Sequence, residues 1–160
     1  MIARIGIFGL VVLAALIITT SSHAQPRAPT AAEVKLIRDC AAAHREDGEG
    51  EEKCAFKLLA DACVDKARSN VGTADCYRVE AAIWDALLND NYKELMKALD
   101  DNNDQDKLKE MQRAWIAYRD TTCDFYWYKI HGTMAIPMSA SCRLRETARR
   151  ALLLAFFMQL

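Results

Sequence analysis

The sequence predicts an all-α fold, a single domain of about five helices arranged as antiparallel helical hairpins and stapled by disulfides. Three observations predict it. Apolar residues recur at three- and four-residue spacing along the chain, and no segment sustains the alternation of a strand. Turn and capping residues separate those periodic stretches. Six cysteines, Cys40, Cys54, Cys63, Cys76, Cys123 and Cys142, bracket the turns in successive pairs.

Residues 1–24 read as a cleaved export signal. Arg4 supplies the positive start, Ile5 to Ile18 the apolar run, and Ser22-His23-Ala24 the small-x-small site before Gln25. The run is shorter than the ~20 residues that span a bilayer, which disfavours an uncleaved anchor. No cysteine follows it to carry a lipid. A periplasmic or secreted protein is expected, with residues 25–29 as a short disordered lead and 30–160 as one domain.

The first helix opens on the capping box Thr30-Ala31-Ala32-Glu33 and turns Val34, Ile37 and Cys40 inward. The acidic, glycine-containing run Glu46 to Glu52 ends it. A second helix is expected over 51–69, apolar at Cys54, Leu58, Leu59, Ala62 and Cys63. Asn70 to Gly72 then make a turn, and Thr73 caps a third helix over 74–99, with Val79, Ile83, Leu87 and Leu95 on its inner face. After Asp100-Asp101-Asn102-Asn103-Asp104, a fourth helix over 105–130 carries the stripe Leu108, Met111, Trp115, Tyr118, Thr122 and Phe125. Gly132 to Pro137 break it. Ser139 or Ser141 opens a last helix through Phe157, apolar at Leu144, Ala148, Ala151, Leu152, Ala155 and Phe156.

The net charge of −1 loses a further positive charge when Arg4 leaves with the signal, so neither nucleic acid nor an anionic membrane surface is favoured as partner. An even cysteine count in an exported chain reads as a disulfide framework. Cys40 and Cys54 bracket Asp47-Gly48-Glu49-Gly50; Cys63 and Cys76 bracket Asn70 to Thr73; Cys123 and Cys142 bracket Gly132 to Pro137. Nearest-neighbour pairing follows, each bridge being worth ~3 kcal/mol in the chain-entropy account. No C-x-x-C occurs and only His44 and His131 lie beyond the signal, so neither a metal site nor a cofactor is expected.

Folding the third and fourth helices back about position 102 sets Asp85 opposite Arg119, Asn89 opposite Trp115, Tyr92 opposite Gln112 and Met96 opposite Leu108. Polar groups in such register suit a buried structural network. An Arg119 partner would hold Asp85 ionised and useless as an acid. No nucleophile stands beside a histidine in any recognisable motif, and an enzyme is not expected. Trp115, Tyr118 and Phe125 follow the core stripe. Tyr126, Trp127 and Tyr128 cannot all face inward at about 100° per residue, and Trp127 is taken as a candidate partner contact. Two acidic clusters, Glu46, Asp47, Glu49, Glu51 and Glu52, and Asp100, Asp101, Asp104 and Asp106, are solvated loops or steer a basic partner. Arg143, Arg145, Arg149 and Arg150 of the last helix would pair with these loops or meet an anionic envelope polymer.

Thr73-x-x-Cys76, Asp85-x-x-Leu88-Asn89-x-x-Tyr92 and Gln112-x-x-Trp115-x-x-x-Arg119-Asp120-x-x-Cys123 occur in order, followed by Gly132, Pro137, Cys142 and Thr147-x-x-Arg150. Through these residues, from about Cys63 to Arg150, the chain resembles the exported family named for the lysozyme inhibitor LprI, in its N-terminal domain. The resemblance implies a small, cysteine-paired helical protein that binds a protein partner, with lysozyme inhibition as the namesake's activity. The chain departs from the namesake in having no lipid-attachment cysteine and in adding the Cys40/Cys54 segment. The competing expectation is an envelope interaction or stress module with no effect on lysozyme.

Overall fold

A computed structural model describes residues 26–46, 49–56 and 58–160. The stretch expected to be an export signal, residues 1–24, lies outside the described residues. Among those described, six helices occur and no strand: α1 Ala31–Ala43, α2 Gly50–Cys54, α3 Ala60–Val64, α4 Asn70–Ala98, α5 Asn102–Ile130 and α6 Ala135–Phe157.

The capping box at α1 is formed on both sides. Thr30 Oγ1 accepts from the Glu33 backbone N–H at 3.3 Å, and the Glu33 carboxylate accepts from Thr30 N–H at 2.8 Å. The hydrogen bond from Arg27 and the one from Thr30 hold the Glu33 carboxyl down at about 2.

The second expected helix is broken. α2 and α3 are short, and between them Phe56 adopts a left-handed conformation, φ 69°. The break is held from α4, by a carboxylate with no accessible surface. Glu80 accepts from Phe56 N–H at 2.8 Å, Ala60 N–H at 2.9 Å and Trp84 Nε1–H at 3.1 Å. Two backbone donors that a continuous helix would use internally are satisfied by a side chain instead.

α4 begins earlier than the turn residues suggested. Ser69 caps it, its hydroxyl accepting from Gly72 N–H at 3.1 Å, so Asn70 to Gly72 are helical and Thr73 is not the cap. α6 likewise starts at Ala135, before either expected serine. Pro137 falls in its first turn, where a backbone N–H has no intrahelical role to lose.

α6 is the centre of the molecule. Its small buried residues Ala140, Ala148, Ala151 and Ala155 allow close approach, and α4 packs along much of its length. Trp84, Ile83 and Leu88 of α4 are buried with Leu144 and Leu154 of α6 and Ile37 of α1. Asn91 is buried in this seam and donates to Ala151 O at 2.8 Å. α5 docks on α6 rather than pairing along α4. Near the α4–α5 connection Gln105 Nε2 ties the two together by donating to Leu99 O at 2.9 Å.

The three bridges are Cys40–Cys54, Cys63–Cys76 and Cys123–Cys142, with Cα separations of 5.8, 5.7 and 5.4 Å. Each staples neighbouring segments across their own connection, as the turn bracketing predicts.

Candidate functional site: a polar cleft and an outward aromatic face

Because α6 holds α4 and α5 on its surface, a cleft of about 470 Å³ opens between them. α4 contributes Arg78, Ala81, Ala82 and Asp85; α5 contributes Arg119, Asp124 and Trp127; the floor is Ile136, Ser139, Ala140, Arg143 and Thr147 of α6. The expected Asp85–Arg119 ion pair is absent. The two residues share the cleft without meeting, because the small-residue floor of α6 lies where a direct α4–α5 seam was expected. Asp85 accepts from Asn89 Nδ2 at 3.1 Å, and Arg119 turns to Asp120 at 3.0 Å. Asn89 therefore bonds along its own helix and does not reach Trp115.

Arg143 rises from the floor into two carboxylates, with Nη1 to Asp120 at 2.6 Å and Nη2 to Asp124 at 2.7 Å. Burial pushes the Asp120 carboxyl up. The hydrogen bonds from Arg143 and Arg119 outweigh that, leaving it below the ordinary carboxylate range.

Next along α6, Arg150 is 5% exposed and donates from Nε to Gln112 Oε1 at 2.9 Å. Gln112 is thus bound to Arg150 and not to Tyr92, which packs against the core. Arg119 and Arg150 both lie over the Trp115 ring, at 4.8 and 5.6 Å from its centroid. Burial lowers the Arg150 pKa, and its Nη2 is sealed without a partner. The motif residues of α5 do assemble, but onto α6 rather than α4. Arg149 and Arg145 leave this group: Arg149 reaches Glu51 at 2.6 Å, and Arg145 lies over the Phe56 ring.

The expected core stripe of α5 winds out of the interface. At about 100° per residue, Phe125 lies roughly 100° around the helix from Leu108. Leu108 is buried and Met111 and Trp115 pack against the core, but Tyr118 and Phe125 are 54% and 61% exposed and Thr122 is exposed too. Tyr128, at 74%, joins them, as do exposed Ala114, Ala117 and Thr121. The charges of this stretch, Arg119, Asp120 and Asp124, point the other way, into the cleft and α6. Here α5 turns its ion-paired charges toward α6 and the cleft, and these aromatics toward solvent.

Trp127 lines the cleft and is partly exposed. Asp100, Asp101, Asp104 and Asp106 are exposed at the far end of α5. Asp101 caps the helix by accepting from Asn103 N–H at 2.7 Å, and Asp106 pairs with Lys109 at 2.8 Å. Roughly 35 Å of helix separates Asp104 from Trp127, so these candidate contacts sit at opposite ends.

Residues 63–154 match the family model described as lysozyme inhibitor LprI. The chain belongs to the LprI family. No curated protein and no solved structure matches it. The LprI match takes in α4, α5, nearly all of α6 and the Cys63–Cys76 and Cys123–Cys142 bridges, hence the whole cleft and the aromatic face. α1, α2 and the Cys40–Cys54 bridge lie outside it.

The aromatic face and Glu80 escaped the sequence reading. A helical wheel reset at Trp115 would have found the face. For Glu80 the signal was its place between Val79 and Ile83 on the apolar side of α4.

Proposed function

We propose that this chain is an exported binding protein that inhibits lysozyme by direct contact, without catalysis of its own. The family match carries the reading. Three disulfides fit an oxidising compartment, and no described helix is long and apolar enough to cross a membrane. The contact surface is the exposed face of α5, where Tyr118, Phe125 and Tyr128 offer aromatic anchors of the kind that dominate protein interfaces. Animal-type lysozymes are basic, and the acidic α4–α5 connection at Asp100, Asp101, Asp104 and Asp106 supplies complementary charge for steering.

The test is a muramidase assay with a stoichiometric series of folded, disulfide-intact protein. Inhibition at low salt is expected to saturate near one equivalent. Phe125→Asp and Tyr128→Asp should each weaken it at least tenfold, since a central aromatic is commonly worth 2 kcal/mol or more. Their circular dichroism should be unchanged, because both side chains face solvent. Full activity of several animal-type lysozymes in the presence of excess protein would leave the envelope-module alternative, with a partner other than lysozyme.

A further inference from the structure

We infer that the cleft between α4 and α5 is a subsite for a neutral saccharide unit recognised through its hydroxyl groups. The floor carries the argument. Ser139 and Thr147 are only 5% and 3% exposed, and neither hydroxyl bonds to another group of the protein. Among the described residues the one buried side-chain polar atom both sealed from solvent and unbonded is Arg150 Nη2, so both hydroxyls open onto the cleft they line. They stand eight residues apart on one face of α6 with Arg143 midway, a row of donors and acceptors aimed at one space. Buried hydroxyls are nearly always satisfied, and here the cleft is where a partner would sit.

The walls define its chemistry. Arg143 is neutralised by Asp120 and Asp124, Arg119 by Asp120, and Arg78 by Asp75 at 2.8 Å. Asp85 adds a carboxylate with one oxygen unused by Asn89. Donors and acceptors are both plentiful, and no uncompensated positive charge remains to favour phosphate or an acidic polymer. An apolar ligand would strand the floor hydroxyls. About 470 Å³ lies within the ~300–1,000 Å³ range of small-ligand sites. A pyranose ring meets these demands together: its hydroxyls both donate and accept, planar Asp and Arg groups bind adjacent pairs of them, and its C–H face suits the electron-rich face of the Trp127 indole.

The experiment titrates the folded, disulfide-intact protein, with no lysozyme present, with tri-N-acetylchitotriose and with maltotriose. Heat and tryptophan emission are followed. Saturable binding of at least one sugar is expected, with Trp127→Phe removing the emission change. Thr147→Val and Ser139→Ala should each weaken binding by roughly three- to tenfold, the usual worth of one hydrogen bond. Their melting temperatures should be unchanged or raised, since the hydroxyls have no partner in the protein. Co-sedimentation with insoluble peptidoglycan, competed by chitotriose, would assign the ligand to the polymer rather than to free sugar. No saturable binding of either sugar at about 10 mM would overturn the proposal. So would binding that ignores both Thr147→Val and Ser139→Ala, or binding confined to an acidic saccharide and lost on adding salt. Because lysozyme is absent, failure here leaves the inhibitor reading standing, and success does not depend on it.

Discussion

Glu80 shows how much one residue decides. Its carboxylate is fully buried and ties Phe56, Ala60 and Trp84 to α4. Burial raises its pKa, and the three hydrogen bonds only partly oppose that, so the net shift is upward. Between the ordinary glutamate value and the raised one, the native protein binds more protons than the unfolded chain. Glu80's contribution to stability is therefore complete below the ordinary value and is lost as pH rises through the raised one. Urea melts across pH 4 to 8 should show this decline in the parent protein and not in Glu80→Gln. At the acidic end Glu80→Gln should be less stable by about 1–3 kcal/mol, because an amide NH₂ then confronts a backbone N–H. A pH slope shared by both proteins would place the titrating group elsewhere. Asp85 is the opposite case. It is exposed and forms no pair with Arg119, so Asp85→Asn is expected to leave stability nearly unchanged.

Among the elements, α5 departs furthest from expectation. Its three- and four-residue spacing looked like a core stripe, but the steps do not sum to whole turns of 3.6 residues, and the far half of the stripe rotates into solvent. Its C-terminus holds a second difference. Gly132 was the expected terminator, yet His131 takes the left-handed position, φ 51° and ψ 35°. A non-glycine residue there costs roughly 1 kcal/mol. His131→Gly should raise stability by about 0.5–1 kcal/mol in denaturant melts, the gain trimmed by the freer unfolded chain. Gly132→Ala should be close to neutral, because its Cβ would approach nothing nearer than Ile130 O at 3.8 Å. If Gly132→Ala proved the costlier change, the helix would end one residue later than described.

Across the whole molecule, charge and aromatic surface are sorted. The acidic α4–α5 connection lies at one end of α5; towards the other, the ion-paired cleft with Trp127 and the exposed rings occupy opposite sides of the same stretch. If the chain inhibits a basic lysozyme as proposed, substituting Asp100, Asp101, Asp104 and Asp106 by Asn together should slow their association. The thermal midpoint should stay nearly constant, since Asn at 101 still caps α5 and exposed charges contribute little. The slowing should fade as salt rises, screening having cut the interaction range to ~8 Å at physiological ionic strength. Stopped-flow association at two salt concentrations checks this, and an association rate indifferent to both changes would remove steering from the mechanism.

The all-α class, the Thr30 cap and all three disulfide pairings were legible in the sequence, because capping, helical period and turn bracketing are local effects that residues carry wherever they fold. The motif residues of α5 were legible as a group for the same reason: Gln112, Trp115 and Arg119 share one side of one helix. Their partners were not. Whether Arg119 met Asp85, and whether Gln112 met Tyr92 or Arg150, depended on which helix lay beside α5. The chain connection favoured α4, but burial of the small-residue faces of α6 placed that helix between them. The same packing left Phe125 and Tyr128 outside, opened the cleft over Ser139 and Thr147, and drew Phe56 and Ala60 onto Glu80. Local sequence determined the helices and their staples; competition for α6 decided which faces met, because buried contact area is settled among helices far apart in the chain.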